Sequence, residues 1–124
     1  MTMTRIDTAM PDILAAADAA MRRRRIMRAD WLADQLAALP DHRAPDGAGL
    51  EDRLAVSRRY RNALDVLAAR IEDFAVAPGR VQMGAFGARL AMLGVRAQST
   101  GGVAEACRLW IAKVRETAAA CGDQ

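Results

Sequence analysis

The chain has 124 residues, enough for one ordinary domain and too few for two separate cores. Much of its hydrophobic fraction of 52% is alanine, and its formal charge of +3 with a pI near 9.5 favours acidic partners over basic ones. No apolar run approaches the ~20 residues needed to cross a bilayer, and the arginines follow the early apolar stretch at 13–21 instead of preceding it, so neither membrane insertion nor export is expected and the setting is read as cytoplasmic.

Aromatic residues make up only 4% of the chain, while alanine, leucine, arginine and methionine, all strong helix formers, dominate. An all-α class follows: a small bundle of about four helices built on a long antiparallel helical hairpin. One helical-bundle domain over residues 10–122 is expected behind a flexible N-terminal arm at 1–9.

Thr8 as N-cap and Pro11 in the first turn open helix one, on which Ile13, Leu14, Ala17, Met21, Met27, Trp31, Leu32, Leu36 and Leu39 recur at helical spacing, predicting a helix over 10–39. The block Arg22, Arg23, Arg24 and Arg25 covers every face of one turn. At least one of these arginines must point toward the apolar stripe, where it snorkels, pairs with an acid or marks a bend. Pro40, Asp41, Pro45, Asp46, Gly47 and Gly49 form the clearest loop. Helix two is predicted over 50–75, with Leu50, Leu54, Val56, Tyr60, Leu64, Leu67, Ile71 and Phe74 on its buried face.

Ala77, Pro78 and Gly79 make a turn. Helix three is predicted over 81–93 from Met83, Phe86, Leu90 and Leu93, with Gly84 and Gly87 allowing close helix approach and Gly94 stopping it. Residues 99–102 cap helix four, which runs to about 120 with Val103, Cys107, Trp110, Val114 and Cys121 in a narrow stripe. Cys107 and Cys121 lie roughly 21 Å apart along that helix at ~1.5 Å per residue, too far for a disulfide. A reduced compartment is the natural inference.

The distinctive motif is a pair of basic blocks: Arg22, Arg23, Arg24, Arg25 and Arg28 on helix one, and Arg58, Arg59 and Arg61 on helix two. In a hairpin closed by the loop at 40–49, Arg28 and Arg61 stand at the same height and the blocks merge into one band. Such a band suits phosphate or an acidic protein surface, because several guanidinium groups reach oxygen acceptors together. The plain alternative is a solvated face paired with Asp18, Asp30 or Asp65. Trp110 and Val114 are candidates for a self-association seam, since such seams recur every three and four residues. A helix-turn-helix over 85–114 is disfavoured by its long connection. His42 is the sole histidine, the cysteines are far apart, and the glycines lack a P-loop ending, so no metal site, cofactor or catalytic residue is expected.

The order Trp31, then Leu50-Glu51-Asp52, then Arg59-Tyr60-Arg61-Asn62-Ala63, and Leu93-Gly94-Val95 resembles small terminase subunits of tailed phages and phage-like particles. That resemblance implies a helical, ring-forming, non-enzymatic protein engaging viral DNA and a large packaging subunit. The chain lacks the Asn-Pro element between central helices associated with that group. The expectation is therefore a non-enzymatic, homo-oligomeric DNA-contacting protein, with a DNA-packaging role as one form of it. The alternative is an adaptor, chaperone or small regulator whose arginine band meets an acidic protein partner.

Overall fold

The structure, a computed structural model, describes the backbone of residues 2–122 and the side chains of residues 12–119. Six elements follow in order: α1 (Thr2–Ala37), α2 (Leu50–Glu72), β1 (Arg80–Gly84), β2 (Gly87–Met92), β3 (Val95–Ser99) and α3 (Val103–Gly122). The strands form one antiparallel meander in the order β1-β2-β3. The fold is thus mixed α and β, which corrects the all-α bundle of about four helices: the stretch expected as helix three is two strands of a sheet.

The physical reason lies in two competing periodicities. Met83, Phe86, Leu90 and Leu93 satisfy a helical period, yet the same stretch alternates with period two. On β2, Ala88, Leu90 and Met92 are buried while Arg89 between them is exposed; on β3, buried Ala97 lies between exposed Arg96 and Gln98. The glycines decide between the readings. Leu93 and Gly94 both take positive φ, 51° and 76°, the pattern of a two-residue type I′ hairpin turn. Gly87, at φ 97°, lies so close to the Ser99 carbonyl oxygen that a Cβ there would collide with it. These are hairpin glycines, where a helix would gain nothing from them.

α3 covers the inner face of the sheet. Cys107, Trp110, Ile111 and Val114 meet Leu90, Met92 and Ala97 in a core to which α1 adds Ala29 and Leu32 and α2 adds Leu67 and Ile71. The Trp110 Nε1–H donates to the Met92 and Val95 carbonyls at 3.3 and 3.1 Å, tying α3 to both strands flanking the Leu93-Gly94 turn. α1 packs chiefly on α3 and α2 reaches the sheet at β1. The helices therefore lie on one side of the sheet, and its other face is open.

The long antiparallel hairpin of α1 and α2 is also corrected. Among the described residues the two helices meet toward their C-terminal ends: Arg70 Nη1 donates to Gln35 Oε1 at 2.7 Å, and the ring of Phe74, just past α2, packs edge-on to Trp31 with centroids 4.7 Å apart. The intervening loop leads the chain away before α2 returns, so the N-terminal half of α2 lies beyond the end of α1. There it packs on the loop instead, with His42 and Tyr60 ring centroids 5.6 Å apart.

Candidate nucleic-acid interface

The shifted register keeps the two arginine blocks apart. Arg28 sits against Phe74, just past the end of α2 at Glu72, and at ~1.5 Å per residue the helix between Arg61 and Glu72 separates the two by roughly 17 Å along its axis. Arg22, Arg23 and Arg24 are exposed on α1, and Arg58, Arg59 and Arg61 are exposed on α2, with Arg59 beside Pro40, Asp41 and Arg43 of the loop. No single band brings these groups together.

Two members of the first block are committed to the fold. Arg25 is the arginine turned toward the apolar stripe, and it donates from Nε to the Leu93 carbonyl at 3.0 Å. Arg28 donates to the Val76 and Ala77 carbonyls at 3.1 and 3.0 Å, contacts Met92 Sδ and stacks on Phe74. Burial lowers the Arg28 pKa from its ordinary value. Both residues close carbonyls that the turns around the sheet leave open, which sequence reading of a basic block could not anticipate.

Trp110 and Val114 are spent in the core, with relative exposures of 0% and 3%, so neither offers a surface to a second copy. Cys107 lies beside them; burial pushes its thiol up to about 12, with nearby Arg108 pulling weakly the other way. Leu93-Gly94-Val95, part of the terminase resemblance, is the hairpin turn and the start of β3.

The structure assembles a different basic surface, on the open face of the sheet. Pairing sets Arg80 opposite Ala91 and Ala91 opposite Arg96 in one cross-strand row, and Gln82 opposite Arg89 and Arg89 opposite Gln98 in the next. All three arginines and both glutamines are exposed, and they line a shallow depression of about 540 Å³ that Lys113 joins from α3. Lys113, the only lysine in the chain, is held at the margin by its 2.7 Å bond to the Arg96 carbonyl. No aspartate or glutamate occurs between Asp73 and Glu105, so the strands themselves carry only positive charge, while Glu116 of α3 stands at the margin beside Arg96 and Lys113.

Arg89 is held in place before any ligand arrives. Its Nε donates to Gln98 Oε1 at 2.8 Å and its guanidinium lies 3.8 Å from the Phe86 ring centroid. Gly84 makes room for that ring, since a Cβ on Gly84 would stand 2.8 Å from the Phe86 edge. Among the described residues, the terminal nitrogens of Arg89 have no hydrogen-bond partner within the protein. A guanidinium fixed on one edge and free on the other is suited to a planar, two-point acceptor.

Sequence reading missed this face because it placed Gln82 and Arg89 on a helix and Arg96 and Gln98 in a loop. The signal that could have found it is the alternation of Arg or Gln with Ala, Leu or Met on β2 and β3. Among the described residues, no group of three or more His, Cys, Asp or Glu side chains is arranged to hold a metal ion, and no helix is long and apolar enough to cross a membrane. Compared with profiles of known protein families, with characterised proteins and with solved structures, the chain matches none.

Proposed function

We propose that this protein binds duplex DNA through the open face of its sheet, using Arg80, Arg89 and Arg96 with Gln82, Gln98 and the marginal Lys113. The observation that carries the reading is the pair of cross-strand rows, Arg80-Ala91-Arg96 and Gln82-Arg89-Gln98, on three strands that contain no carboxylate. A polyanion gains from such a face because each neutralised phosphate releases condensed counterions, a favourable term that weakens as salt rises. An acidic protein surface would use the same charges. Exposed glutamines beside a stacked arginine favour base edges, which present paired donors and acceptors, over carboxylates, which only accept.

The testing experiment is binding of the purified chain to a mixed-sequence DNA duplex across a salt series. The wild type is compared with an Arg80→Gln, Arg89→Gln, Arg96→Gln variant and with an Arg22→Gln, Arg23→Gln, Arg24→Gln variant. The expected result is salt-sensitive binding that the sheet variant loses by at least roughly tenfold while the helix variant keeps most of it. Absence of binding at low salt would overturn the reading, as would equal losses in the two variants.

A further inference from the structure

Resting on that reading, we infer that the sheet lies in the major groove of B-form DNA and that Arg89 is a specificity-determining residue that reads a guanine. The argument is one of dimensions, residue type and preorganisation.

Strands spaced about 4.8 Å apart make a two-stranded ribbon roughly 10 Å wide, which a major groove about 12 Å wide admits, so two of the three strands enter the groove and the third lies along its wall. The two side-chain rows are two residues apart along each strand, close to 7 Å, which matches two base-pair steps of about 3.4 Å. Neighbouring rows therefore meet base pairs at intervals the duplex itself sets. The middle of the first row is small, since Ala91 lies between Arg80 and Arg96. Small residues let the backbone approach the groove floor, and an alanine methyl suits the thymine methyl group.

The residue types separate base reading from phosphate contact. A surface that only gripped the backbone would need cations, and the two glutamines add no charge. Arginine and glutamine are instead the side chains that bond in two-point fashion to guanine O6 and N7 and to adenine N6 and N7. Lys113, a point charge with no planar fork, stands at the edge of the face, where phosphates flank a groove. Arg89 occupies the middle of its row between Gln82 and Gln98, and its Phe86 stack and Gln98 bond remove much of the side-chain freedom that binding would otherwise cost. A-form RNA does not offer the same site, because its major groove is too narrow and deep for side chains to read.

The experiment selects duplexes bound by the full chain from a randomised DNA pool, then measures affinity for the enriched duplex by competition. A second duplex carries 7-deazaguanine at each enriched guanine in turn, removing N7 while leaving base pairing intact. The expected result is an enriched site containing guanine, with one 7-deaza position weakening the wild type by roughly tenfold. Arg89→Lys, which keeps the charge and loses the fork, should bind the unmodified duplex more weakly and be indifferent to the 7-deaza change. The wild-type comparison stands even where the variant folds poorly. Binding to all duplexes alike, or a 7-deaza series without effect, would overturn groove reading and leave DNA binding in place. Failure to bind any duplex would overturn both.

Discussion

The Arg28 guanidinium lies 3.5 Å from the Phe74 ring centroid while its terminal nitrogens donate to the Val76 and Ala77 carbonyls. One side chain of α1 thereby fixes the segment connecting α2 to the sheet. Charged hydrogen bonds and a stacked cation together imply that Arg28→Ala costs about 2 kcal/mol. Arg28→Lys should recover less than half, because an ammonium cannot serve two carbonyls and a ring at once. Urea denaturation of the three proteins checks this, and an alanine variant as stable as wild type would show that the contact does not clamp the fold.

Trp110 carries a second junction. Trp110→Phe retains most of the buried ring but removes the Nε1–H that serves the Met92 and Val95 carbonyls. A lost buried donor with its acceptors left open, plus the volume difference, corresponds to about 2 kcal/mol. The loss should appear as a lower unfolding midpoint, with faster hydrogen exchange at the amides flanking the Leu93-Gly94 turn.

Two glycines with positive φ should respond very differently to alanine. Gly87→Ala drives a Cβ into the Ser99 carbonyl oxygen and must push β2 from β3, whereas Gly47, at φ 84°, faces open space. The loop substitution should cost only its conformational strain, about 1 kcal/mol, while the Gly87 change adds a backbone clash and should exceed roughly 3 kcal/mol. Thermal unfolding followed by circular dichroism distinguishes them.

Cys107 gives the fold an alkaline limit. Its thiol is raised from 9.0 to about 12 by burial, so the folded protein holds this proton through a range in which the unfolded chain releases it. The contribution to stability is complete below pH 9 and is lost as pH rises toward 12. Measured in a Cys121→Ser background, unfolding free energy should fall more steeply between those limits with Cys107 present than in Cys107→Ala. A thiol reagent at neutral pH should label Cys107 only on unfolding.

Gly84 tests the preorganisation of Arg89. Alanine there brings a methyl against the Phe86 ring, displacing the surface on which the guanidinium rests. Gly84→Ala should weaken DNA binding several-fold, with stability lowered by only about 1 kcal/mol because the site is exposed at a strand end. Unchanged affinity would show that the Phe86 stack has no part in binding.

Composition and short-range pattern located much of the chain's organisation. α2 begins at Leu50 as expected, the loop after α1 lies where proline and glycine cluster, and α3 begins at Val103 behind Gly101 and Gly102. These features depend on local chemistry: capping, breakers and a helical stripe act within a few residues. The sheet was legible in principle, since Leu93-Gly94 is a two-residue turn between alternating segments. It was hidden because Ala, Arg, Leu, Met and Gln have little intrinsic preference for strands, and because an apolar set spaced 83, 86, 90 and 93 fits a helix equally well.

What the sequence determined by itself is therefore local: a basic, alanine-rich chain with long helices and a breaker loop. Only the tertiary structure decided which arginines are free. Arg25 and Arg28 belong to a conspicuous basic block, yet the carbonyls of Leu93, Val76 and Ala77 claim them; Arg80, Arg89 and Arg96 are scattered in sequence, yet strand pairing gathers them on one face. Charge is a property of the residue, whereas availability is set by which backbone groups fold against it and by the register that places one strand beside the next.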